Sequence, residues 1–243
     1  MDELRIPGGR VYYGKNYKDG VGMRVGKDFF VALSKKSFQN MWNYFRSMKK
    51  SEHLFMYGEK QDASFLMPAL FDVCDSAAMC EASINRKKLP RAVREDESGN
   101  GKGWVDYWCY YRNMPFVIEA KHVFFSMTER GGMSAQKWDA AIEQLKGISV
   151  KEISGQGECL SLALMVVVYW HRGREESNPD VRVSLEELHE QCLENLRSKS
   201  KFKGKQPNIW SYWIVPEDSR YIEMTEESYP AVGFIGRLEY RTA

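Results

Sequence analysis

The chain reads as an α/β domain, a mixed β-sheet with helices packed on it. Three observations predict this. Trp104 to Tyr111 and Phe116 to Val123 are two well-marked strands in succession. Ser134 to Ile148 repeats apolar residues at helical spacing, with Trp138, Ala141, Ile142, Leu145 and Ile148 on one face. The apolar run Leu160 to Trp170 then reads as a buried strand, since it is only about half as long as a bilayer-spanning helix. With a helix and a strand ahead of them, the order through the middle is helix, three strands, helix, strand, which suits a sheet covered by helices.

The remaining elements follow in order. Residues 1 to 33 are rich in Gly, Tyr and Val, with turn signals at Pro7-Gly8-Gly9 and Asp19-Gly20, and are expected to form short strands. Ser37 to Lys49 is expected to be helical, because Phe38, Met41, Trp42 and Phe45 recur at helix spacing. Glu59 to Asp75 places Glu59, Ala63, Leu66, Leu70 and Val73 near one face, although Pro68 argues for a kink or break. Cys80 to Arg86 is a strand candidate. Ser184 to Arg197 is a helix opened by the capping box Ser184-x-x-Glu187, and 209 to 215 and 231 to 240 read as strands. The expected organisation is a core over 51–171, an N-terminal β-rich segment and helix over 1–50, and a C-terminal helix and strands over 172–243 completing the same domain.

Composition narrows the function classes. With 43% hydrophobic and 28% charged residues, the chain is globular rather than disordered. Its net charge of +2 excludes a general polycation, so any nucleic-acid binding needs a local basic face. MDELRIPGGR lacks the apolar segment of a signal peptide, and no membrane partner is expected. Five cysteines, an odd count without paired C-x-x-C spacing, fit reduced thiols in a cytoplasm and argue against a zinc site.

The informative stretch is GWVDYWCYYRNMPFVIEAKH, residues 103 to 122. Alternate strand residues share a face, so Glu119 and Lys121 point the same way and Ala120 points oppositely. A two-residue turn at Arg112-Asn113 sets Asp106 opposite Glu119; a turn at Asn113-Met114 sets it opposite Lys121. Both registers collect all three charges on one face. Phe116, Val117 and Ile118 lead into Glu119 from an apolar interior, where two carboxylates repel unless a cation lies between them. A hard divalent ion suits such oxygens and can activate water against a phosphodiester. A cross-strand salt-bridge ladder on a solvated face accounts for the same three residues.

Val105-Asp106, twelve residues, then Glu119-Ala120-Lys121 resembles the signature of the PD-(D/E)xK nuclease superfamily, with Val105 where the name has proline. The resemblance covers roughly residues 59 to 170 and includes the element order. It implies a restriction-endonuclease-like fold with an αβββαβ core, here carrying N- and C-terminal decorations. It also implies a Mg2+- or Mn2+-dependent endonuclease-like hydrolase acting on DNA, the superfamily's usual substrate, rather than RNA. Asp106, Glu119 and the Ala120 carbonyl would hold the metal, and Lys121 would be the catalytic lysine. The superfamily often adds an acid from the first helix. Glu59 matches best, with Glu81 as competitor. Gln144 lacks the tyrosine of the RecB-like pattern and reads as a solvated helix residue. A catalytically inactive member of the same fold, binding nucleic acid or protein, is the alternative, and a homodimer is compatible with either.

Two basic runs could track phosphates. Arg86, Lys87, Lys88, Arg91 and Arg94 put five cations in nine residues just ahead of the Asp106 strand. Lys199, Lys201, Lys203 and Lys205, interrupted by Phe202, read rather as a solvated loop. His122 and His189 read as structural. Neither Gly99 to Gly103 nor Gly131-Gly132 has the Gly-Lys-Ser/Thr ending of a phosphate loop.

Overall fold

A computed structural model describes residues 2–18, 20, 22–87, 100–127, 135–153, 157–174 and 185–243. Nine strands form one mixed sheet. Strands β1 (Asp2–Ile6) and β2 (Gly9–Lys15) make an N-terminal hairpin. Helices α1 (Met23–Ser47) and α2 (Glu59–Val73) follow, then β3 (Ala78–Lys87), β4 (Asn100–Tyr111) and β5 (Met114–Ser126). Helices α3 (Ala135–Lys146) and α4 (Val150–Ile153) lead to β6 (Glu158–Arg172). Helix α5 (Leu185–Lys199), β7 (Ile209–Ile214), β8 (Tyr221–Ile222) and β9 (Glu227–Thr242) complete the chain. The sheet order is β1-β2-β7-β9-β6-β5-β4-β3, with β8 beside β9. Among the described residues only β5 and β6 pair in parallel; the other pairings are antiparallel.

Helices cover both faces. On one, Phe29, Phe30, Phe38 and Met41 of α1 and Phe65, Leu66 and Leu70 of α2 pack on Leu160, Leu162, Leu164 and Val166 of β6. On the other, Trp138, Ile142 and Leu145 of α3 and Cys192 and Leu196 of α5 pack on Ala163, Met165, Val167 and Tyr169. Alternate β6 residues thus enter two different cores, which is why the run from Leu162 to Val168 is apolar on both faces. The terminal segments, expected as decorations, carry strands of the same sheet. β9 lies between β6 and β7 and is buried over most of its length.

Two expectations need correcting. Residues 23 to 33 are helical, because α1 begins well before Ser37. Phe30, Leu33, Ser37, Met41 and Phe45 form one continuous buried stripe, which outweighs the glycines. Gly26 belongs in this helix for a tertiary reason: a Cβ there would lie 2.2 Å from Leu238 Cδ2 on β9. Pro68 does not break α2. It faces solvent, where water can take the carbonyl its missing N–H leaves, while Phe65, Leu66, Ala69 and Leu70 hold the helix from below. The start of α5 is as expected to within a residue, but Ser184 of its capping box lies outside the described residues. No helix among the described residues is long and apolar enough to cross a membrane.

Buried His53 ties the segment between α1 and α2 to the sheet. It stacks between Phe45 and Phe55, with ring centroids 4.0 and 4.6 Å away, and its Nε2 donates to the Ser219 carbonyl at 2.8 Å. Nδ1 has no hydrogen-bond partner among the described residues, so protonation would bury an uncompensated cation. Burial accordingly lowers the His53 pKa from 6.5 to about 4. The unfolded chain takes up this proton first, so the stabilisation is complete above pH 6.5 and is lost as pH falls towards 4. Between neutral pH and about pH 5, His53 is expected to cost about 2 kcal/mol of stability. Urea midpoints across that range should show the loss, and His53→Phe should reduce it.

Candidate active site at the fork of the sheet

The β4–β5 hairpin closes on Arg112-Asn113, both in the left-handed region with φ of 47° and 62°. This is the two-residue turn in a conformation that matches strand twist. The ladder runs from Tyr111–Met114 to Tyr107–Ile118 and then stops. Beyond that point β4 remains paired with β3 and β5 with β6, so the sheet forks. Continuing the register would set Asp106 opposite Glu119. Instead the Asp106 carboxylate takes the place of a strand carbonyl, its Oδ2 accepting the Ala120 N–H at 2.8 Å.

Strand geometry explains the interruption. Tyr107 belongs to the core under α1 and α2, but Val105 belongs to the core under α3 and α5. In a regular strand these two share a face, so β4 turns over at Asp106. Neighbouring β3 does the same: Ala78 packs on the first core and Ala82 on the second. Glu81 between them has a φ of 50°, strained for a residue with a side chain.

Four elements bring side chains to this fork. Lys121 Nζ lies 3.4 Å from Asp106 Oδ2 on β4 and 3.6 Å from Glu59 Oε1 at the first residue of α2. Lys137 of α3 approaches Glu59 Oε2 at 3.9 Å and donates to the His122 carbonyl at 2.6 Å. The Lys121 side chain is 12% exposed, against 37% for Asp106 and 48% for Glu59. The ammonium is therefore drawn inward beneath two carboxylates that reach solvent, unlike the freely solvated ladder the spacing also allowed.

A cleft of about 390 Å³ opens here, lined by Glu59, Lys60, Asp62 and Ala63 of α2, Cys80 and Glu81 of β3, Asp106 and Tyr107 of β4, and Ala120 of β5. That lining holds four acids, Glu59, Asp62, Glu81 and Asp106, and one lysine, Lys60; Lys121 is not part of it. Burial raises the Tyr107 pKa, and the charges of Asp62, Asp106 and Glu59 add to the shift. Asp62, 1% exposed, sits one turn after Glu59, and its Oδ1 is 2.8 Å from His122 Nδ1. Desolvation raises its pKa, the His122 contact opposing.

The structure thus brings Glu59, Asp106 and Lys121 together, with Ala120 beside them. Glu119 is fully buried and is not among the residues lining the cleft. Glu81 lines it and is exposed. Among the described residues no three His, Cys, Asp or Glu side chains already stand at metal-holding distances; the Lys121 ammonium lies between Glu59 and Asp106 instead. Gln144 is half-buried rather than solvated. Arg86 and Lys87 end β3, while Lys88, Arg91 and Arg94 lie outside the described residues.

Three lysines of the second basic run make local contacts on the surface. Lys201 pairs with Glu143 at 2.6 Å, Lys205 pairs with Glu239 at 2.5 Å, and Lys203 bonds the carbonyls of Arg197 and Ser198 at the end of α5. His189 is structural, bonded to the Tyr212 hydroxyl at 2.8 Å.

Asp62 and Lys137 went unread in the sequence. Asp62 carried a signal, an acid on the apolar stripe with Phe65, Leu66 and Ala69. Lys137 carried none beyond its place next to Trp138. No family model, curated protein or solved structure matches the chain.

Proposed function

We propose that the protein is a Mg2+- or Mn2+-dependent nuclease of the PD-(D/E)xK type, hydrolysing phosphodiester bonds of DNA. The observation that carries this reading is the convergence of Lys121 with Asp106 and Glu59 where the sheet forks. The order helix, three antiparallel-paired strands, helix, parallel strand, from α2 to β6, supports it. Five free thiols accord with a cytoplasmic setting.

The donor chemistry fits a hard divalent ion. The cleft is acidic, its four carboxylates come from three elements, and one oxygen of buried Asp62 has no hydrogen-bond partner among the described residues. Such a net negative cleft repels a phosphate backbone unless its charge is offset. Asp106 and Glu59 are the cleft donors, Glu119 and the Ala120 carbonyl being the further ligands that the motif implies. When bound, the ion supplies Lewis acidity and a more acidic water. Lys121 hydrogen-bonds the attacking water and offsets negative charge developing on the phosphoryl oxygens. The Ala120 N–H fixes the Asp106 carboxylate in one orientation. Arg86, Lys87, Lys88, Arg91 and Arg94 are assigned to contacts with the phosphate backbone.

Metal binding tests this first. Mn2+ should raise the melting temperature by mass action, and Asp106→Asn should abolish the rise. An equal rise in the variant removes Asp106 from the site. Glu59→Gln should weaken Mn2+ binding roughly tenfold, the scale of one charge-assisted contact, and Glu81→Gln should weaken it less. The reverse ranking in calorimetry gives the role to Glu81. Metal binding with no cleavage of any DNA would favour the inactive interaction module.

A further inference from the structure

We propose that Asp62 is an oxygen donor to the cation of this cleft and that His122 positions it. The inference rests on the metal-dependent reading above. Asp62 lies one turn along α2 from Glu59, so both side chains leave the same side of the helix. It lines the cleft with Glu59 and Asp106 yet is only 1% exposed. One carboxylate oxygen is anchored, Oδ1 accepting from His122 Nδ1 at 2.8 Å. The other, Oδ2, is buried and has no hydrogen-bond partner among the described residues.

A buried carboxylate with one oxygen unsatisfied is costly, and a fold needing only a tie between α2 and β5 gains nothing from it. His122 adds to that cost, since its Nε2 is likewise buried without a partner among the described residues. A ligand pinned at one oxygen by a hydrogen-bonding neighbour, on a residue that lines an acidic cleft, accounts for the unpaired Oδ2. The assignment also bears on Glu119, which is buried outside the cleft lining. The carboxylate that joins Glu59 and Asp106 as a donor then comes from the helix rather than from the strand.

Calorimetric titration of the full chain with Mn2+ tests this, with metal-free melting as a control for folding. Asp62→Asn should weaken Mn2+ binding tenfold or more, on the order of losing a direct or supporting ligand, while the metal-free midpoint is unchanged or higher. His122→Phe, which leaves the carboxylate but removes its anchor, should weaken binding by a smaller factor. If Asp62→Asn folds and binds like wild type while Asp106→Asn does not, Asp62 is no ligand and the metal reading stands. If Asp62→Asn loses binding and Asp106→Asn keeps it, the inference stands and the assignment of Asp106 falls. If wild type binds no Mn2+, both are overturned. Should Asp62→Asn not fold, undiminished affinity in His122→Phe overturns the proposal.

Discussion

A Lys121→Ala protein should fold, bind Mn2+, and cut plasmid, single-stranded or branched DNA about 10²–10³-fold more slowly than wild type, the usual cost of removing a charge-stabilising donor. Folding is expected to survive because Lys121 contributes an ion pair rather than core volume. Its partners Asp106 and Glu59 are partly exposed, so water can solvate them when the ammonium is gone. Metal binding should survive or tighten, because the ammonium that lies between the two carboxylates is removed. Single-turnover cleavage alongside Mn2+ calorimetry checks both halves. Equal cleavage by the variant would leave a nuclease but move its site elsewhere. Loss of Mn2+ binding together with cleavage would make Lys121 a structural group.

Trp138→Ala should cost about 3–5 kcal/mol of unfolding free energy, the range for deleting a large buried aromatic. Trp138 is fully buried against the sheet, and its indole N–H donates to the Lys205 carbonyl at 3.0 Å. The same residue seats α3, whose Lys137 reaches Glu59. Urea unfolding should show the loss, and Mn2+ should restore part of it through the folded state. A loss below about 1 kcal/mol would mean that the core under α3 repacks freely, contrary to the dense packing of such interiors.

Both expectations depend on features of unequal visibility in the sequence. The two hairpin strands were legible from their composition, but two turns fitted the sequence equally, and only the structure decides for Arg112-Asn113. Helix α3 was legible because Trp138, Ile142 and Leu145 repeat at helical spacing. The start of α1 was not, since Gly22 and Gly26 weigh against a helix locally, and only the close approach of Leu238 explains Gly26. Nor was the place of β9 between β6 and β7, a pairing set by distant segments that leaves no local trace.

The candidate site divides in the same way. Alternation placed Glu119 and Lys121 on one side of β5, but it could not foresee that β4 turns over at Asp106 or that the ladder ends at Tyr107–Ile118. That departure turns a row of charges into a fork, with a carboxylate bonded to the freed Ala120 N–H. Glu59 was read from its place at the head of α2, and its carboxylate lies 3.6 Å from Lys121 Nζ. Asp62 was missed because an acid inside an apolar stripe is easily taken for a surface residue when only the apolar positions are counted.

The most direct test is cleavage of plasmid, single-stranded and branched DNA by the purified chain in Mg2+ or Mn2+, run beside an EDTA control and Asp106→Asn. Metal-dependent nicking or cutting of at least one substrate, absent in EDTA and in Asp106→Asn, is the predicted result. Cleavage that persists in EDTA or in Asp106→Asn, or no cleavage of any substrate by a wild-type protein with bound metal, would contradict it.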